Sequence, residues 1–287
     1  MADYPENFDM IELEAERVAR ELDIPPCPLI LARFNEEFHN DQPDLRKLAA
    51  LIGTDVGLSA TILKTVNSPF YGLVKKATGV EQALSILGMG ACANIISGLL
   101  LRRAFPAASG PALERFWDST MRVAGLAAEI AARLKNVDRD AAHTYVLFRD
   151  CGMLVMLRKF PQYTEIMDQC AAISGAQLTR IEDTRFKFNH TRVASALARS
   201  WSLPEMLCGA ILHHHEFRLM AKSTIQSDAA DRKLVAFGLL AEQIAALHAN
   251  QGLCADWTEG ERFVLHTLEI EPDEIVKLTE DLLAAAV

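Results

Sequence analysis

Apolar positions recur along the chain at intervals of three and four residues, the spacing that lines them up on one face of an α-helix. Ile11, Ala15, Val18 and Leu22 form such a stripe, closed by Pro25-Pro26-Cys27-Pro28, where a helix cannot continue. Leu31, Phe34 and Phe38 mark a second segment. Asp44 stands where an N-cap would serve Leu45, Leu48, Ala49 and Ile52; Gly53 is placed to end that helix, and another runs from about residue 56 to 66. Thr78-Gly79-Val80-Glu81 has capping-box spacing ahead of Ala83, Leu84 and Leu87, with Gly88 as a stop and an apolar helix following to about Arg103.

Pro106-Ala-Ala-Ser-Gly-Pro111 is the best internal linker. Beyond it the pattern predicts helices at about 112–134, 139–158, 161–174, 190–201 and 204–213; a polar stretch from Lys222 to Asp231 precedes three more. No period-two strand or internal repeat interrupts the series, so the expected fold class is all-α. The expected organisation is an N-terminal helix (1–22), an N-terminal lobe (23–108), a second helical lobe (109–250) and a C-terminal helical extension (251–287).

Composition sharpens this reading. Half of the 287 residues are hydrophobic and only 7% are aromatic, which suits a large, Ala- and Leu-rich helical core. A net charge of -9 argues against a surface devoted to nucleic-acid backbones. The N-terminus is acidic and has no signal-peptide pattern, and the longest apolar run, Ala91 to Leu101, is too short to span a bilayer. Six scattered cysteines (Cys27, Cys92, Cys151, Cys170, Cys208 and Cys254) form no C-x-x-C pair and fit a reducing, cytoplasmic setting without membrane association.

Two regions carry a family resemblance. The proline-rich entry at Pro25-Pro26-Cys27-Pro28, the helix closing on Asn67-Ser68-Pro69-Phe70-Tyr71-Gly72 and the helix closing on Ile86-Leu87-Gly88 together resemble the opening lobe of an HDOD domain. Phe116-Trp117, Phe148-Arg149-Asp150-Cys151-Gly152, Asn189-His190, His213-His214-His215 and Leu239-Leu240-Ala241-Glu242 resemble the helical core of the HD superfamily of metal-dependent phosphohydrolases. The resemblance covers roughly residues 22–250. It implies an HDOD-type N-terminal bundle packed on a degenerate HD-like bundle, and a place in bacterial signal transduction.

Active HD enzymes hold divalent ions with histidine and carboxylate ligands. Against that pattern, Ser119 stands at the first histidine position and Arg149 at the doublet histidine, and a guanidinium neither deprotonates nor coordinates a cation. Asp150, His190, His213, His214 and Glu242 survive. Ser119, Arg149, Asp150, His190, His213, His214 and Glu242 therefore mark a remnant pocket, and Asn67, Ser68, Tyr71 and Gly72 a family motif shaped like a packed corner. The three-histidine run also fits a helix C-terminus, where imidazoles meet free carbonyls.

The function expected is non-catalytic regulation through a protein partner in a signalling pathway or a small ligand, with no catalytic residue, metal or cofactor assigned. A residual phosphohydrolase or a phosphate- or nucleotide-binding module is the alternative, since arginine suits phosphate. DNA binding ranks below both: residues 45–67 read superficially as helix-turn-helix, yet Lys64 is the single base-reaching cation of the second helix.

Overall fold

The computed structural model describes residues 8–68, 73–105, 111–135, 137–222 and 229–285, and these residues are helical with no strand among them. They fall into two compact units, Pro25–Pro106 and a larger one made of Met1–Ile24 with Ala107–Val287. No single helix among the described residues is long and apolar enough to cross a membrane. None of the six cysteines is in a disulfide.

After the N-terminal helix α1 (Phe8–Glu21), the smaller unit holds α2 (Leu29–Phe38), α3 (Leu45–Gly53), α4 (Val56–Val66), α5 (Val80–Leu87) and α6 (Met89–Ala104). Its core holds Leu31, Phe34, Leu48 and Ile52 from the predicted stripes, together with Leu58, Ile62 and Val66 of α4, all fully buried. Asp44 caps α3 by accepting from the amides of Arg46 and Lys47, and Asp55 caps α4 by accepting from that of Leu58. The cap of α5 lies one residue later than the spacing predicts. Gly79 is the N-cap, and Gln82 reaches back to accept from the Thr78 amide.

Asn67, the C-cap of α4, explains the corner that follows it. Its side-chain amide donates to the Ala77 carbonyl at 2.8 Å and its oxygen accepts from the Ala77 amide at 2.7 Å, so one side chain closes a ten-residue excursion. Ser68 is half-buried beside it, whereas Tyr71 and Gly72 of the same motif lie outside the described residues. So do residues 106–110 of the predicted linker.

The larger unit contains α1, α7 (Pro111–Leu134), α8 (Arg139–Arg149), α9 (Gly152–Lys159), α10 (Thr164–Gln169), α11 (Gly175–Phe186), α12 (His190–Ser200), α13 (Glu205–Leu212), α14 (Phe217–Ala221), α15 (Ala229–His248), α16 (Trp257–Leu268) and α17 (Pro272–Ala285). Helix α12 is central, packed by α1, α8, α9 and α13, while α7 and α15 flank α8. The helix expected over 139–158 is two helices, α8 and α9, broken at Asp150-Cys151. The break lets α9 start against α12: a Cβ on Gly152 would sit 2.0 Å from the His190 carbonyl oxygen, so only glycine permits this approach. It also leaves Asp150 at the C-cap of α8 with its side chain free to turn inward. The segment expected as one helix over 161–174 is short pieces, and α11 follows as a separate helix.

Candidate functional site

Four ligand-competent side chains meet inside the larger unit. They are Asp150 at the end of α8, His190 at the start of α12, and His214 and His215 in the turn after α13, with their ligand atoms all within 4.8 Å of one another. His190 and His214 are buried. Asp150 and His215 are partly open and line a cavity of about 780 Å³ that also takes in Ser119, Arg149, Glu242 and Asp256.

Each imidazole is oriented by an acceptor on its Nδ1. The His190 Nδ1–H donates to Glu182 Oε2 at 2.7 Å, the His215 Nδ1–H to Asp256 Oδ2 at 2.7 Å, and the His214 Nδ1–H to the Ile211 carbonyl at 2.7 Å. With Nδ1 acting as donor in all three rings, the three Nε2 atoms carry lone pairs aimed inward. His190 Nε2 lies 3.1 Å from His215 Nε2. His214 Nε2 lies 3.3 Å from Asp150 Oδ1 and makes no hydrogen bond. Lone pairs facing one another at such distances require a proton or a cation between them.

The charges follow the geometry. Burial pushes the Asp150 carboxyl up, but the Arg149 guanidinium and the neighbouring histidines outweigh it and hold it well below the usual carboxylate range. Burial, reinforced by His215, pushes His214 down to about 3, so it is a neutral ligand rather than an imidazolium. Burial also disfavours charge on His190, yet Glu182 overrides it and raises that ring. Three imidazoles and a carboxylate form a donor set suited to a divalent transition-metal ion. The orphaned His214 Nε2 is what such an ion would satisfy.

Arg149 fills the other side of the site. Its side chain is 6% exposed, its Nε donates to Asp150 Oδ2 at 3.0 Å and its Nη2 pairs with Glu242. Burial raises the Glu242 carboxyl, with Arg149 opposing. Asp150 and Glu242 therefore both face a fixed guanidinium.

The structure thus brings together Arg149, Asp150, His190, His214 and Glu242 from the predicted set. Ser119 is exposed on α7 and lines the same cavity as Asp150 and His215. His213 turns away, its Nδ1 pairing with Glu216 at 3.2 Å. The histidine run therefore divides: His214 meets a helix-end carbonyl as expected of a C-terminus, while His215 belongs to the cluster, a residue the sequence reading left out. Glu182 and Asp256 were missed as well. A wholly dismantled metal centre is not what this geometry shows, since four ligand-competent groups remain in place.

An all-helical bundle with a buried histidine–aspartate cluster defines an HD-like domain. The profile of the HDOD domain family matches residues 24–217, more than half of the chain, and the chain belongs to that family. A candidate phosphohydrolase from Shewanella amazonensis SB2B superposes with a TM-score of 0.70 at 22% identity, covering 93% of both chains. An HDOD domain protein of unknown function from Geobacter sulfurreducens gives a TM-score of 0.64 at 22% identity, covering 98% of this chain and 94% of that one. These similarities establish the fold. An uncharacterized protein of Treponema pallidum (strain Nichols) is 24% identical over 195 residues, 67% of this chain, and the match spans 38% of that relative's length.

Proposed function

We propose that the chain is a regulatory domain that acts by binding, with one divalent cation held by Asp150, His190, His214 and His215 and a small ligand taken up in the adjoining cavity. The observation that carries this reading is Arg149, buried between Asp150 and Glu242. A guanidinium there supplies positive charge and hydrogen bonds without Lewis acidity. A cation bound by the four ligands would supply a Lewis-acidic point for an anionic oxygen of the ligand. A cavity of about 780 Å³ lies within the usual range for small-ligand sites. Of two proteins that share the fold, the Shewanella one is named a candidate phosphohydrolase, which favours hydrolysis, and one from Marinobacter aquaeolei VT8, with a TM-score of 0.63, is named a candidate signal transduction protein, which favours regulation.

Single-ion phosphoester hydrolysis is the competing reading, favoured by the carboxylate support behind His190 and His215. Untagged protein incubated with manganese or iron and then freed of excess metal separates the two. The expected result is one ion per chain and no turnover of a phosphodiester such as bis-p-nitrophenyl phosphate. Turnover abolished by Asp150→Asn would overturn the non-catalytic reading, and absence of bound metal would overturn the cation site.

A further inference from the structure

Two carboxylates outside the four-ligand group converge on it through a single helix, α11. Glu182 projects from α11, is fully buried, and spends both oxygens on defined partners. Oε2 accepts from the His190 amide at 3.0 Å and from His190 Nδ1 at 2.7 Å, while Oε1 accepts from the Tyr163 hydroxyl. At the other end of α11, the Gly175 amide donates to Asp256 Oδ1 at 2.7 Å, and the second oxygen of Asp256 takes the His215 Nδ1–H. The fit is tight: a Cβ on Gly175 would lie 1.9 Å from His215 Nδ1, so the helix start is pressed against the ring.

We infer that α11 is the positioning element of the cation site, and that Glu182 and Asp256 are its two orienting groups, locking His190 and His215 as Nδ1–H tautomers with both Nε2 atoms aimed at one point. The inference rests on the cation-binding reading above for its consequence but not for its geometry. An ionised carboxylate is costly to bury unless its hydrogen bonds are satisfied, and Glu182 meets that condition with three donors. Helix capping alone would need only the His190 amide contact. The additional bond to the ring points to orientation, since the partner on one ring nitrogen decides what the other can ligate. Asp256 repeats the arrangement from the start of α16 on a ring 5.2 Å away, so the device is used twice.

Glu182→Gln and Asp256→Asn, each near-isosteric, test this in the full chain with Mn²⁺ alone as the probe, followed by electron paramagnetic resonance titration. Each variant is expected to bind Mn²⁺ about 10–100-fold more weakly than the parent. Leu278→Ala on α17, a helix that carries no group of the site, is expected to lower the melting temperature while leaving affinity within about threefold, a margin small beside that effect. Imidazole ¹⁵N correlation spectra of the metal-free protein give the second readout. His190 and His215 are expected as Nδ1-protonated rings in the parent, with that signature altered at His190 in the first variant and at His215 in the second. Unchanged affinity in both variants with unchanged ring spectra overturns the inference. If the parent binds no Mn²⁺, the function proposed above fails, and the ring spectra still decide the tautomer lock: Nε2-protonated rings in the parent would reject it. Should Glu182→Gln not fold, Asp256→Asn decides alone.

Discussion

Arg149 is where the chemistry of one residue alters the meaning of its surroundings. It is compensated on both sides, by Asp150 and Glu242, and its side chain is almost closed off from solvent. Removing one partner of such a buried arrangement is expensive because the remaining charges lose their counter-ion. Arg149→Met should therefore destabilise the protein by about 2–4 kcal/mol, below the full cost of a deeply buried pair because Glu242 is 32% exposed. Divalent cation should recover part of that loss, because two carboxylates freed of a guanidinium form an oxygen-rich site. Thermal melts with and without Mn²⁺ check this, and a variant whose melting point ignores the metal would show that Arg149 does not stand in for an ion. His143 on α8 makes a pH-dependent counterpart. Burial, with Arg139 nearby, pushes its ring from the ordinary value of 6.5 to about 4, and its buried Nδ1 has no hydrogen-bond partner. Between those values the unfolded chain binds a proton that the folded chain refuses. Stability from this group is therefore complete above pH 6.5 and declines as pH falls towards 4. The loss should be about 1–2 kcal/mol, less than the full linkage of 1.36 kcal/mol per unit because the side chain retains some contact with water. Denaturant melts at pH 7 and 5 should show a larger drop for the parent than for His143→Gln; equal drops would remove His143 as the source.

At the scale of helices, local signals were legible where they were covalently close. Asp44 and the apolar stripe of α3 could be read from the sequence, because capping and periodicity act within a few residues. The break between α8 and α9 could not, because its cause is the passage of α12 against Gly152, forty residues away in the chain. The largest omission was α11, and with it Glu182. A signal was present: Ser174-Gly175-Ala176-Gln177 has capping-box spacing, and Gln177 does reach back to the Ser174 amide. The apolar pattern of α11 is weak, since among its twelve residues the burial falls on Gly175, Leu178, Glu182 and Phe186, half of them not apolar side chains. A helix held by polar contacts to its neighbours leaves little periodicity to detect. The histidine run posed a different difficulty. Three adjacent imidazoles look alike in sequence, and only the turn after α13 sends His213 to Glu216 and His215 to Asp256.

At the scale of the whole chain, two compact units each with an apolar core raise the question of where the effect of binding is felt. The cluster draws its groups from α8, α11, α12, the turn after α13, α15 and the start of α16, all within the larger unit. A cation that ties these elements together stabilises the state that assembles them and has no equivalent site in the unfolded unit. At a concentration 100 times its dissociation constant, the gain is about 2.7 kcal/mol, equivalent to about 100-fold slower exchange for amides that open only with that unit. Hydrogen exchange with and without Mn²⁺ should therefore show strong added protection in α8, α11 and α12. The smaller unit, Pro25–Pro106, has buried helices of its own and contributes no ligand, so its amides should keep their rates. Slowed exchange there as well would mean that the smaller unit senses occupancy of the larger. By reciprocity, anything binding the smaller unit would then tune cation affinity by the same factor. Under the proposed regulatory role, that outcome would place the output in the N-terminal helices, whereas confinement of protection to the larger unit would place it on the surfaces that α11 and its neighbours present.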